Sequence, residues 1–204
     1  MADRIVITGA PGSGKTEFLH RLRNLEPTRG FMFFEELARQ ILSEDPSLRQ
    51  HRNEFHMRIY REQVTREREA GERSFVTDRG TVDAFAFHPE TLDHVGSTIA
   101  REYTRYSAVI QLGSAAILGE PYYKRDAIRT ESVDDALTIE QALRDVWSGH
   151  PAYRFVEANC SYDTKFSRFV KTLCQCLEQK TDAPLVTSPG RDDTMNTMNQ
   201  QRGI

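Results

Sequence analysis

The sequence predicts a three-layer α/β sandwich, a five-stranded parallel sheet with helices on both faces, and three observations carry that prediction. Five short apolar segments recur along the chain: "RIVIT" (4–8), "GFMFFE" (30–35), "SFVTD" (74–78), "SAVIQL" (107–112) and "YRFVEA" (153–158). Helical patterns separate them, and strands that read as apolar runs between helical crossovers are covered on both faces, as in a parallel sheet. With 204 residues, the chain suits one well-packed domain and is too short for two of ordinary size.

The first strand runs into "GAPGSGKT" (9–16). Gly9, four residues, then Gly14-Lys15-Thr16 is the phosphate-binding loop pattern, placed as its chemistry requires, after a β-branched run and before a helical pattern. Glycines let the backbone of Gly9, Ala10, Pro11, Gly12, Ser13 and Gly14 curl so that N–H groups converge on phosphate oxygens at the start of a helix. Lys15 would reach the β- and γ-phosphates, and Thr16 would offer its hydroxyl to Mg²⁺. A plain tight turn is the structural alternative.

After the second strand, the segment 47–71 carries Phe55, Met57, Ile59, Tyr60 and Val64 on one side, and most of its Arg and Glu residues read as a solvated face. The third strand ends in Asp78-Arg79. A carboxylate at the C-terminal end of a parallel strand can hold Mg²⁺, or Asp78 can cap a helix over 80–88. The fourth strand ends in Gln-Leu-Gly with no further acid. A helix starts at Ser132, with Asp135 placed for a capping box, and buries Ala136, Leu143 and Val146 or Trp147. In the last helix Phe166, Phe169, Val170, Leu173 and Leu177 share one face. From Thr181 onward the chain is polar and aperiodic, which reads as a disordered tail, 181–204, behind a domain of residues 1–180.

Composition narrows the partners. A net charge of −3 gives no sign of a nucleic-acid or anionic-membrane surface. Three cysteines without a CxxC pair, and an N-terminal apolar run too short for a signal peptide or a membrane span, point to a reduced, cytoplasmic protein. None of the five lysines follows an asparagine, so the Asn-Lys-x-Asp of guanine-specific GTPases is missing. The third strand also lacks the Asp-Glu of motor ATPases. The six histidines show no i, i+4 pair and no Cys partner at zinc spacing. Phe31, Phe33, Phe34, Phe85 and Phe87 cluster as core residues do, and one of them stacking on an acceptor base is the functional alternative.

Three further motifs carry a resemblance. "VTDRG" (76–80) followed by "VDAFAF" (82–87) resembles the Asp-Arg turn after the third strand of nucleoside and nucleotide kinases. "FFEELAR" (33–39) resembles the Glu-x-x-Arg of one subgroup, filed as an AAA-type ATP-binding domain, which includes the ribosylnicotinamide kinase domain of the bacterial NAD-biosynthesis regulator and eukaryotic nucleotide-binding trafficking factors. "YYKRDAIRTES" (122–132) resembles its lid and the helix start after it. The resemblance spans about residues 4–177. It implies a P-loop fold of the nucleoside-monophosphate-kinase type with a small Arg-bearing lid, ATP and Mg²⁺ as cofactors, and Glu36 as the base facing an acceptor hydroxyl. Glu35 is the alternative to Glu36, and the start of a helix favours either acid without any catalytic role. Arg79, Arg125 and Arg129 are candidates for charge around the γ-phosphoryl group, with Lys124-Arg125 as a solvated pair the bland alternative. Arg39 would anchor an acidic acceptor or pair with a carboxylate. The expected function is phosphoryl transfer from ATP to a small metabolite, with a nucleoside, nucleotide or pyridine riboside favoured. The rival is a nucleotide-controlled binding module for a protein or lipid partner. The acceptor's identity, the base preference and assembly as a homodimer stay open at this level.

Overall fold

The computed structural model describes residues 2–119, 122–123 and 131–178. The expectations on Lys124, Arg125, Arg129 and the tail lie outside them. In chain order the elements are β1 (Arg4–Thr8), α1 (Lys15–Leu22), β2 (Met32–Phe34), α2 (Leu37–Glu44), α3 (Arg52–Ala70), β3 (Phe75–Asp78), α4 (Asp83–Phe87), α5 (Glu90–Val95), α6 (Ile99–Tyr103), β4 (Ala108–Leu112), α7 (Val133–Trp147), β5 (Tyr153–Val156) and α8 (Tyr162–Glu178).

All five expected strands form and pair in parallel in the order β2-β3-β1-β4-β5. Alternation along β1 sends Ile5 and Ile7 to one face, against Phe18, Leu22, Phe169 and Leu173 of α1 and α8. Val6 points to the other, where it packs with Phe85, Tyr106 and Trp147. Both faces are therefore dry, which is why the strands read as apolar runs. Each large side chain buried this way contributes about 1.5–3 kcal/mol. The register sets Ile7 opposite Asp78 and Thr8 opposite Gln111, so the C-terminal ends of β1, β3 and β4 lie side by side. Ligands bind such sheets at that edge.

The capping box at Ser132 and Asp135 forms as expected, and α7 buries Ala136, Leu143 and Trp147, with Val146 only partly covered. Helix α8 buries Phe166, Phe169 and Leu173, and also Lys165 and Cys176. Helix α3 departs from its expectation. Its buried residues are His56, Gln63, Glu67 and Ala70, while Phe55 and Ile59 pack on a satellite cluster with Leu37, Ile41 and Leu48. The charges of α3 are thus not all solvated. Glu67 is 1% exposed and accepts from Arg105 Nε (2.9 Å) and Nη2 (2.6 Å), Tyr106 OH (2.7 Å) and Gln63 Nε2 (2.6 Å), which offsets its desolvation. Among the described residues, no helix is long and apolar enough to cross a membrane.

Candidate functional site

Residues 9–14 form a tight loop between β1 and α1. Gly9 is at φ 152°, and a Cβ there would stand 2.5 Å from the Leu112 carbonyl, so only glycine lets the loop lie against the end of β4. At Gly12, φ 77°, a Cβ would meet the Tyr123 ring at 2.8 Å. The backbone turns back on itself through Ser13 N–H donating to Ala10 C=O, and α1 starts at Lys15 with no side chain capping it. Its first N–H groups and its positive dipole end therefore face the loop's concavity.

Lys15 is buried. Its Nζ donates to Gly9 C=O at 2.8 Å and to Ser13 Oγ at 3.3 Å. Burial, then the Arg79 guanidinium, lower its pKa. Lys15 is thus turned back into its own loop. Other groups fix the loop from outside: Ser114 Oγ donates to Pro11 C=O, Ala115 N–H to Gly12 C=O, and Lys165 Nζ to Ser13 C=O.

Asp78 ends β3 at 3% exposure, and its Oδ1 has no hydrogen-bond partner. Burial pushes its carboxyl up to about 6 against the pull of Lys15 and Arg79. It does not cap a helix, since α4 begins only at Asp83 with Val82 in the cap position. A buried carboxylate oxygen without a donor is the chemistry of a cation ligand, and Asp78 lines a cavity of about 160 Å³ together with exposed Thr16. These two residues fit Mg²⁺.

Arg79 is the only non-glycine residue at positive φ (70°) among the described residues, and Thr77 Oγ1 donates to its carbonyl at 2.8 Å. Its guanidinium donates from Nε to Glu36 Oε1 at 2.8 Å and from Nη1 to Asp83 Oδ1 at 3.3 Å, with the Phe87 ring 4.9 Å away. The expectation of a free cation for the γ-phosphoryl group is therefore changed: the charge of Arg79 is committed to two carboxylates. Asp83 gathers three further donors, Thr8 Oγ1, Gly80 N–H and Trp147 Nε1, and welds this turn to β1 and α7.

Glu36 precedes α2 without capping it. Burial raises its pKa, but Arg79 and Lys15 outweigh burial and bring it down to about 2. Glu35 pairs with Arg23 at 2.8 Å and is 84% exposed, on the outer wall of the smaller cavity. Glu36 and Asp78 line both the smaller cavity and a larger one of about 270 Å³, walled by Leu37, Phe55, His56, Ile59, Phe87 and the polar Gln63, Arg66 and Arg79. Arg39 is exposed on the rim of the smaller cavity with no ion pair among the described residues. Phe87 lines the larger cavity, while Phe85 is core.

Sequence reasoning missed Asp83, Gln63, Arg66, Glu140 and Lys165. Asp83 follows Arg79 by four residues, a spacing that was available. Glu140 of α7 accepts Ser114 N–H just past β4, so the strand end that lacks its own acid receives one from another element. That pairing left no local mark.

The sheet order, the glycine loop and the Asp-Arg turn define a P-loop domain of the nucleoside-kinase type. The chain belongs to the AAA domain family, whose model matches residues 4–165. Among solved structures it is similar to deoxyadenosine kinase from M. mycoides with bound dATP, at 14% identity and TM-score 0.58, covering 84% of this chain and 99% of that one. The same kinase with the products dCMP and a flexible dCDP matches at 14% identity and TM-score 0.54, with the same coverage. These likenesses show the fold. Among curated proteins none matches.

Proposed function

We propose that this domain, residues 1–180, transfers the γ-phosphoryl group of ATP to a hydroxyl of a small cytoplasmic metabolite of nucleoside size, with pyridine ribosides included. One observation carries the reading: Glu36, locked by Arg79, stands between the two cavities beside the orphaned Asp78 and the Lys15 loop.

The loop N–H groups and Lys15 would hold the β- and γ-phosphates, which need positioning and positive charge more than covalent help. Mg²⁺, held by Thr16 and Asp78, would supply positive charge to the β- and γ-oxygens. The larger cavity would take the acceptor's ring among Phe55, Ile59 and Phe87. Its hydroxyl would donate to Glu36, which aims it at phosphorus and takes its proton late, because a carboxylate held near pKa 2 is a weak base. Glu36 works here mainly by orientation. Kinase neighbours with this fold support the reading, and a nucleotide-controlled binding module remains its rival.

The test is an acceptor panel with γ-labelled ATP on the intact chain, Glu36→Gln and Glu35→Gln. Glu36→Gln should keep ATP binding and lower transfer by about 10²-fold, near the low end for general-base assistance, while Glu35→Gln changes it less than about threefold. If no nucleoside or riboside is phosphorylated, yet ATP binding alters affinity for a protein or lipid, the binding-module reading replaces this one.

A further inference from the structure

Lys165 lies in the first turn of α8, is 5% exposed, and points under the phosphate loop. Its Nζ donates to Ser13 C=O at 2.7 Å and to Gly113 C=O at 2.6 Å, joining the loop to the residue that follows β4. No carboxylate stands within ion-pair distance of it among the described residues. A buried ammonium held only by carbonyls is poorly compensated and favours an anion nearby. Lys15 is a second buried cation on the same loop, donating to Gly9 C=O and Ser13 Oγ. Two lysines thus clamp the loop.

We propose that Lys165 is a positioning residue for the triphosphate: it fixes the Ser13 carbonyl away from the ligand, so that the following N–H groups face the phosphates, and it adds a cation beneath them. This inference rests on the nucleotide-binding half of the reading above. The peptide unit joining Ser13 to Gly14 carries a carbonyl at one end and an N–H at the other. Pinning its oxygen to Lys165 turns its N–H to the opposite side, where α1 begins. A phosphate held there meets N–H dipoles already oriented, and none of the ordering is left to be done on binding.

The same geometry makes nucleotide affinity sensitive to pH. The charged groups facing Lys165 are Glu140 of α7, Lys15 of α1 and Cys160 in the turn before α8, and the Phe18 ring lies 5.7 Å from its Nζ. Burial lowers its pKa to about 8. Glu140 and Cys160 raise it against that and Lys15 lowers it further. Losing the proton removes the cation and weakens the clamp. A bound polyanion favours the protonated form, so affinity must fall as pH rises through 8.

Calorimetric titration of the full chain with ATP and Mg²⁺ at pH 7 and pH 9 tests this, using wild type, Lys165→Arg and Lys165→Met. Wild-type affinity should fall about three- to tenfold between the two pH values. Lys165→Arg keeps its charge and should show a smaller fall. Lys165→Met should bind about 10- to 100-fold more weakly at pH 7, as expected for losing charged hydrogen bonds. Lys165→Arg keeps the charge beside Lys15, so the difference in pH profile between it and wild type is the readout. Melting of the nucleotide-free proteins separates this from unfolding: Lys165→Met should melt within a few degrees of wild type, since a buried charge leaves with its bonds. If that variant fails to fold, the pH profile of Lys165→Arg decides. Equal affinity of Lys165→Met and wild type at pH 7, or the same pH fall in Lys165→Arg, overturns the positioning role. A wild type that binds no ATP at either pH overturns the nucleotide reading itself, and this inference with it.

Discussion

A carboxylate oxygen buried without a donor costs stability, so its retention at Asp78 calls for a use. Replacing it separates stability from use. Asp78→Asn removes the buried charge, so the nucleotide-free protein should melt at the same temperature or about 2–4 °C higher, corresponding to about 1 kcal/mol, while Mg²⁺-dependent transfer drops at least ~10²-fold. A drop of more than a few degrees on a thermal scan would return Asp78 to a structural role. Glu36 behaves in the opposite way. Its folded pKa of about 2 lies below the ordinary 4.5, so its pairing stabilises the fold above pH 4.5 and that contribution is lost as pH falls through 2. Glu36→Gln should therefore cost about 1–2 kcal/mol at pH 7, discounted for its 27% side-chain exposure, and progressively less on acidification below pH 4 in denaturant titrations. The Glu-x-x-Arg register favoured Glu36 of the two adjacent acids. That Arg79 is the partner holding it was not readable, because the two are 43 residues apart and meet only when β2 and β3 pair.

At the scale of elements, the strands were readable because a parallel sheet with two dry faces writes burial into consecutive residues. Helix α7 was readable because its cap is local, Ser132 to Asp135. Helix α3 was readable as a helix but not in its orientation. Its periodic charges look solvated, yet Glu67 is buried because Arg105 and Tyr106, from a segment almost forty residues later, bring it donors. Burial of a charge is decided by partners that periodicity does not reveal. The consequence is testable: Glu67→Ala leaves the Tyr106 hydroxyl inside and the Arg105 guanidinium partly buried without their shared acceptor. That should cost about 3–5 kcal/mol, read as a fall of roughly 10 °C in melting temperature. A loss under about 1 kcal/mol would mean that the network contributes little and that the apolar contacts of α3 hold it.

At the scale of the molecule, the site exists because β1, β3 and β4 end together. The loop after β1, the Asp78-Arg79 turn after β3 and Gly113 after β4 then become neighbours, and Glu36 arrives from the edge strand β2. The sequence implied a parallel sheet but not its order, so it named the loop without showing which cations would still be available in the finished cavity. That accounting selects the acceptor. In the larger cavity Arg79 is committed to Glu36 and Asp83, and Arg66 donates to Glu35 C=O, Gln63 Oε1 and Thr77 Oγ1. Among the described residues Arg66 bonds only neutral oxygens there and leaves its buried Nε without an acceptor, but Glu36 with Asp78 adds two negative charges at the reacting end. A dianionic nucleoside monophosphate would have to be desolvated against two carboxylates, whereas a neutral nucleoside or riboside would offer Glu36 a hydroxyl to orient. Nucleosides should therefore exceed their own monophosphates by at least ~10²-fold in kcat/KM, a difference of about 3 kcal/mol in transition-state binding. Measuring both members of each pair at fixed Mg²⁺ and ionic strength decides it. If monophosphates are the better acceptors, Arg66 in the cavity or Arg39 on the rim becomes the phosphate anchor, and Glu36 loses its role toward a hydroxyl.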